Sequence, residues 1–349
     1  MSKKLNVGLI GAGRIGKVHA ETIAFRIPEA TLAAIADPDA EAARAVARRY
    51  AIPRVTTGAQ EIFRDSSIDA VLICSPTNTH ADLVIEAARA GKHIFCEKPI
   101  DHTLERTDCV LEAVEKAHVK LQVGYNRRFD PNFARVRRAI VSGEIGTPHL
   151  LHIISRDPGP PPISYVKQSG GMFLDMTTHD FDMARFLMGD EVTQLYAAAG
   201  VRVDPEIGKA GDVDTAVIVL HFASGVIGTI DNCRKAPYGY DQRVEVLGSA
   251  GAIATENCYP NYAVISTAES VRRDLPLNFF IDRYVESFAN ELRAFVQAVV
   301  EKKPTPVTGA DGRATVVMGL AARKSYEERR PVRLEEISAK ESAFATVIR

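Results

Sequence analysis

The sequence predicts an α/β fold: an N-terminal Rossmann domain with a doubly wound parallel sheet, then a C-terminal α+β domain with a largely antiparallel open sheet. A chain of 349 residues is too long for one comfortable hydrophobic core and suits two domains. Up to about residue 123, strand-length apolar runs alternate with amphipathic, helix-length segments. From about residue 150, strand-like runs follow one another across short turns.

In the first domain, expected over residues 1–123, the strand-like runs are Leu5–Ile10, Thr31–Ala36, Ala70–Cys74, His93–Cys96 and Val119–Val123. They are continuously apolar, as strands covered on both faces are. The clearest helical segments between them are Glu41–Tyr50, His80–Ala90 and Leu104–Ala117. The second domain is expected over residues 124–335. Its strand-like runs are His149–Ser155, Gln194–Ala199, Ala216–Phe222, Val226–Asn232, Arg243–Leu247 and Ala263–Ser266. A helix-like exception covers Phe173–Leu187. Tyr284, Phe288, Leu292, Phe295 and Val299 then repeat at helical spacing, and a last helical run covers Arg313–Glu327, with a C-terminal helix expected to pack back on the first domain.

Composition narrows the function classes. The formal net charge is −1 with acids and bases interspersed, so no basic stripe offers itself to nucleic acid. No apolar run approaches the roughly 20 residues of a membrane helix, and Leu5–Ile10 is too short for a secretory signal core. The five cysteines are scattered and never spaced C-x-x-C, against a disulfide framework or a thiolate zinc site. A cytoplasmic protein without membrane or nucleic-acid partners is expected.

Gly11-Ala12-Gly13-Arg14-Ile15-Gly16 directly follows the first strand and opens the first helix. The glycines allow a tight turn, a close approach to a pyrophosphate and close helix–strand packing, while the helix N-terminus presents unpaired amides. Asp37 ends the second strand 21 residues after Gly16, where a carboxylate can bind the adenosine ribose and repel the 2′-phosphate of NADP. NAD is the expected cofactor, although Arg14 or Arg44 is a cation able to fold over that site. Asp39 suits the cap of the second helix better than Asp37 does. Gly11, Gly13, Arg14, Ile15 and Asp37 are candidate cofactor contacts. Ser75, Thr77, Asn78 and His80 join them from the carboxyl end of the third strand; Asn78 or Thr79 is also suited to cap the next helix, and both readings can hold together.

Cys96-Glu97-Lys98-Pro99 follows the fourth strand on the same rim, which aims Lys98 toward the nicotinamide region, although a lysine there is commonly only a solvated charge. In Gly170–Asp182, Asp175, His179 and Asp182 fall at i, i+4 and i+7 of one helix face. Three readings stay open for them: structural charges, a metal site, or His179 as a general base tuned by Asp175.

Taken in order, GAGRIG, SPTNTH, CEKP and GGMFLDMTTHDFD resemble the oxidoreductases grouped as glucose–fructose oxidoreductase, inositol dehydrogenase and rhizopine-catabolism proteins. The stretches RRFDPNF, SRDPGPPPISYVKQSGG and NCRKAPYGYDQRVEVLGSAG extend that likeness toward its inositol dehydrogenases. The resemblance implies metal-free, NAD-dependent oxidation of a polyol, with Lys98, Asp175 and His179 catalytic and Glu97 beside the cofactor. It also implies that Lys98, Arg127, Asp157, Asp182 and Tyr240 contact substrate, and that the chain forms a homo-oligomer, commonly a tetramer. Two positions depart from relatives: Asp157 stands where some have Asn, and Phe288 where some have a Tyr hydroxyl. Pro158–Pro162 is expected to wall the pocket. Another inositol isomer, an aldopyranose, or a silent NAD-binding sensor are the competing readings.

Overall fold

A computed structural model describes residues 4–338. They fall into two compact units, one running to Phe129 and regaining Glu286–Val316, the other formed by Asp130–Val285 and the residues from Val317 onward. The division therefore lies beyond residue 123.

The first unit is built from β1 (Leu5–Ile10), α1 (Arg14–Arg26), β2 (Ala30–Ala36), α2 (Ala40–Tyr50), β3 (Arg54–Thr56), α3 (Ala59–Arg64), β4 (Ala70–Ile73), α4 (His80–Arg89), β5 (His93–Glu97), α5 (Leu104–Ala117) and β6 (Leu121–Gly124). Its six strands are parallel in the order β3-β2-β1-β4-β5-β6. The chain reverses direction across the sheet between β1 and β4, and in such sheets ligands bind outside the strands' carboxyl ends at that reversal. The strands are apolar throughout because both sheet faces are covered: Leu9, Leu72 and Phe95 belong to one core and Ile10, Ile73 and Cys96 to another. The sequence pattern does not reveal the short β3 and α3.

The second unit begins with α6 (Pro131–Val141), which the apolar pattern also leaves unread, although Asp130 caps it by accepting from the Asn132 and Phe133 amides and Pro131 occupies its first turn. There follow β7 (Pro148–Arg156), α7 (Ile163–Val166), α8 (Met172–Asp175), α9 (Thr178–Met188), β8 (Val192–Gly200), α10 (Pro205–Lys209), β9 (Thr215–Phe222), β10 (Ile227–Cys233), β11 (Asp241–Gly248), β12 (Gly251–Thr255), β13 (Val264–Ser266), β14 (Val271–Arg273) and α11 (Phe280–Arg283). α12 (Val285–Val300) and the start of α13 (Gly309–Glu328) belong to the first unit; α13 ends in the second, before β15 (Val332–Arg333).

The large sheet of the second unit runs β12-β11-β7-β10-β9-β8-β15. It is mixed, because β10 pairs parallel with β7 while its other neighbours are antiparallel. One face is buried; the other exposes Leu150, Tyr196, Val217, Ile227 and Leu247. Among the described residues no helix is long and apolar enough to cross a membrane.

Candidate active site

The turn after β1 has the conformation that its glycines permit. Gly11 adopts φ +106°, and a Cβ there would sit 2.6 Å from the Cys74 carbonyl oxygen. A Cβ on Gly16 would collide with the Gly11 carbonyl oxygen, so this glycine lets α1 lie close to the turn. Gly13 differs: nothing lies within 4 Å of its missing side chain. It caps α1 without a side-chain hydrogen bond, and the first turn carries no acid. The helix end therefore keeps open amides and an uncompensated positive dipole, the surroundings that a pyrophosphate requires.

Asp37 is braced beside this turn. Its carboxylate accepts from the Ala12 amide at 2.7 Å and the Asp39 amide at 2.8 Å and is half-buried. Asp39, not Asp37, caps α2, through the Glu41 and Ala42 amides. Arg44 is paired with Glu41 at 2.5 Å. The open glycine turn with an acid fixed at the end of β2 fits an NAD molecule.

Beyond β4, a single 3-10 turn spans Thr77–Thr79 and leaves Thr77 half-exposed and Asn78 exposed. The Ser75 hydroxyl meets that of Thr79 at 2.6 Å. His80 lies differently from a ligand contact. It is 1% exposed, with Nδ1 2.8 Å from the Pro99 carbonyl and Nε2 2.9 Å from the Ser75 carbonyl. Burial lowers its pKa and those two carbonyls counter only part of the effect. His80 thus ties the Ser75 loop to the loop that carries Lys98.

Glu97 ends β5 and Lys98 follows it, half-buried and joined to Pro99 by a cis peptide. The Glu97 carboxylate meets Nε2 of the fully buried His19 of α1 at 2.6 Å. Gly124, opposite Glu97 on β6, makes room: a Cβ there would lie 2.9 Å from Glu97 Oε2. The sequence reading missed His19, an apolar-looking helix position whose partner is far along the chain. Phe288, read as a missing tyrosine hydroxyl, packs edge-on against His19 with ring centroids 5.7 Å apart. Arg127, on the 3-10 turn Asn126–Phe129, is 5% exposed.

In the second unit, Gly170 and Gly171 both have positive φ and turn the chain sharply into α8. The expected continuous helix Phe173–Leu187 is broken at Met176 and Thr177, so Asp175, His179 and Asp182 do not share one continuous helix face. The break has a polar cause. The Thr177 hydroxyl donates to Asn232 at 2.6 Å, and the Asn232 amide donates to Asp180 at 2.9 Å. All three residues are fully buried, so these bonds fix the chain where periodicity alone would continue the helix.

Asp175 and His179 are half-buried, and Asp182 is 1% exposed. Asp175 accepts from the Tyr165 hydroxyl at 2.8 Å and faces the buried Arg234, whose two terminal nitrogens lie 3.4 Å from Asp175 Oδ2. Asp157 follows β7 and is held through its backbone, its amide donating to Cys233 and its carbonyl accepting from Ala236. Tyr240 is 6% exposed and packs edge-on against Tyr284, with centroids 6.0 Å apart. Sequence reasoning missed Tyr165 and Arg234, both within motifs that carried the resemblance, and read Tyr284 only as a position of a helical repeat. Among the described residues no group of three or more His, Cys, Asp or Glu side chains is placed to hold a metal ion.

Comparison with known proteins matches residues 5–125 to a family described as an oxidoreductase family with an NAD-binding Rossmann fold, and residues 133–254 to the GFO/IDH/MocA C-terminal domain. A myo-inositol 2-dehydrogenase of Thermotoga maritima is 48% identical, across 95% of this chain and 99% of the relative. An inositol 2-dehydrogenase of Rhizobium meliloti is also 48% identical, across 93% of this chain and 98% of the relative. Among solved structures, a scyllo-inositol dehydrogenase of Lactobacillus casei with bound NAD(H) and scyllo-inositol superposes with a TM-score of 0.89 at 28% identity, covering 95% of this chain and all of that one.

Proposed function

From the premise that the chain belongs to the GFO/IDH/MocA oxidoreductases with an NAD-binding Rossmann fold, we propose that it oxidises myo-inositol to 2-keto-myo-inositol with NAD⁺. The observation that carries the substrate class is the likeness to inositol dehydrogenases over nearly the whole of both chains. Gly11, Gly13, Arg14 and Ile15 hold the cofactor's pyrophosphate, Asp37 its adenosine ribose, and Ser75, Thr77, Asn78 and Glu97 the part nearer the nicotinamide. His80, with both ring nitrogens facing carbonyls, braces those loops. When bound, NAD⁺ supplies a hydride acceptor.

His179 is the base that receives the proton of the reacting hydroxyl, and Asp175 orients its ring. The Lys98 ammonium stabilises the oxygen as negative charge develops on it. Arg127, Asp157, Asp182 and Tyr240 supply the hydrogen bonds that select a polyhydroxylated ring. A ring with one inverted hydroxyl, as in scyllo-inositol, is the competing substrate, since a solved relative holds that isomer.

We further place the enzyme in the cytoplasm as a homotetramer acting on small molecules. Five unpaired thiols, one of them the exposed Cys109, suit a reducing compartment. The open apolar sheet face of the second unit suits a second copy of the chain.

A panel of inositols and aldopyranoses, each assayed with NAD⁺ and NADP⁺, tests the function. Myo-inositol with NAD⁺ is expected to give the highest kcat/KM, and reduction of neither cofactor by any inositol would reject the reading. His179→Ala is expected to lower kcat roughly 10²–10⁴-fold while calorimetry finds NAD affinity unchanged; full turnover by that variant removes His179 as the base.

A further inference from the structure

Arg234 follows β10 and is 1% exposed, by volume the largest fully buried side chain among the described residues. Its Nη1 and Nη2 both approach Oδ2 of Asp175 at 3.4 Å, and Nη2 also lies 3.8 Å from Oδ2 of Asp212. Asp212 is committed to α8, both of its oxygens accepting from the Met172 amide at 3.0 Å. The Arg234 amide donates to the Asp214 carbonyl at 2.9 Å, which anchors its backbone.

As a stabilising device this is a poor arrangement. Burying a cation is costly, and the cost is recovered best by short, bidentate contacts that use every donor. Here both terminal nitrogens share one carboxylate oxygen at long range, and Nε has no hydrogen-bond partner among the described residues. What the arrangement does accomplish is to fix Asp175. That residue ends α8, a helix of one turn that breaks immediately afterwards, so local structure alone does not set its direction. Arg234 holds Oδ2 and the Tyr165 hydroxyl holds Oδ1, each from outside the α8–α9 segment.

We propose that Arg234 is a positioning residue for the oxidation, holding the Asp175 carboxylate where it orients His179. The inference rests on the reading of His179 as the base. It assigns Arg234 no contact with substrate or cofactor: its effect passes through Asp175.

The test is a double-mutant cycle in the full-length protein with Arg234→Met, Arg234→Lys, Asp175→Asn and their combinations. Arg234→Met is expected to lower kcat roughly 10- to 100-fold, the penalty of a misplaced catalytic group, with NAD affinity by calorimetry unchanged. Arg234→Lys is expected to fall between it and the native enzyme, because one ammonium can still face Asp175 but lacks the fork. In the Asp175→Asn background, either substitution at 234 should cost less than about 2-fold, the limit for residues acting through the same group. Losses that multiply, or a loss of NAD affinity equal to the loss of kcat, would assign Arg234 a merely structural role. If Arg234→Met does not fold, the lysine variant completes the same cycle. Crystal structures of the variants decide the matter without turnover. Asp175 should swing away from Tyr165 while α8 and α9 stay in place, and an unmoved Asp175 overturns the proposal. A native protein inert toward every inositol and sugar would reject the proposed function instead.

Discussion

Gly13 and Gly16 belong to one turn, yet their missing side chains would meet different surroundings. At Gly16 a methyl group collides with backbone, and backbone yields at a cost. Gly16→Ala is therefore expected to destabilise the first unit by roughly 1–3 kcal/mol and to weaken NAD binding as a consequence. At Gly13 the space is open and φ is −69°, which alanine tolerates. Gly13→Ala should keep stability within about 1 kcal/mol and still lose NAD. A methyl there displaces the pyrophosphate from amides worth roughly 1.5–3 kcal/mol, a loss of roughly 10- to 100-fold in affinity. Urea denaturation and calorimetry on both variants separate the two effects; equal stability losses would show that both glycines serve packing alone. This turn was legible in the sequence because Gly11 and Gly16 answer local demands of the backbone and Gly13 stands at a fixed spacing between them, where a ligand approaches. Arg234 was not, since Asp175 and Asp212 come to it from distant segments and a buried arginine has no pattern of its own. His80 was legible as a residue of the site loop but not as a brace, because its carbonyl partners are set by tertiary structure.

At the level of elements, α5 and the first strand were readable to the residue because their apolar spacing is undisturbed by polar partners. The break between α8 and α9 was hidden for the opposite reason: Met172, Phe173, Phe181 and Leu187 keep a helical rhythm while Thr177 and Asp180 are drawn to Asn232. The parallel pairing of β10 with β7 was also hidden, since alternation shows which face is buried and not which way a neighbour runs. The returning segment 286–316 is fastened to the first unit by a similarly distant contact. Arg128 donates to Asp311 at 3.0 Å, and the Thr308 amide and hydroxyl donate to the same carboxylate at 2.8 Å. Burial would raise the Asp311 pKa, but Arg128 and Thr308 outweigh it and hold the carboxyl at about 2, below its ordinary value of 3.8. A depressed acid stabilises the fold above its unfolded-state pKa and loses that contribution as pH falls through the folded one. Asp311→Asn should therefore cost about 2 kcal/mol near neutrality. The gap from the native protein should narrow only as pH drops from about 4 toward 2. Urea midpoints of both proteins across that range check it, and a gap that stays constant with pH would mean that the contact acts by packing rather than charge.

The whole molecule poses a question that neither unit answers alone, which is what covers the open face of the second sheet. Register makes the face continuous: Leu247 pairs with Leu150 across β11 and β7, and Leu150 with Ile227 across β7 and β10. These three side chains are 36–41% exposed, and Val217 on β9 is 49% exposed. A row of large apolar groups on one face is a patch of the kind that marks an interface. Closed symmetry makes a second copy of the same face its natural partner, since a two-fold axis sets a surface against itself. Pairing across this face alone gives two chains, and the homotetramer proposed above needs a second interface besides; the native protein is then expected to sediment near four times its 38.0 kDa chain mass. Leu150→Asp combined with Ile227→Asp places two like charges in the apolar row on the adjacent strands β7 and β10, where burial between two copies would be costly. That variant should sediment as a smaller species while retaining its circular dichroism and its NAD affinity, because the cofactor is held by the first unit. A native protein that sediments at the mass of one chain, or an assembly that survives both aspartates, would mean that this face is not where copies of the chain meet.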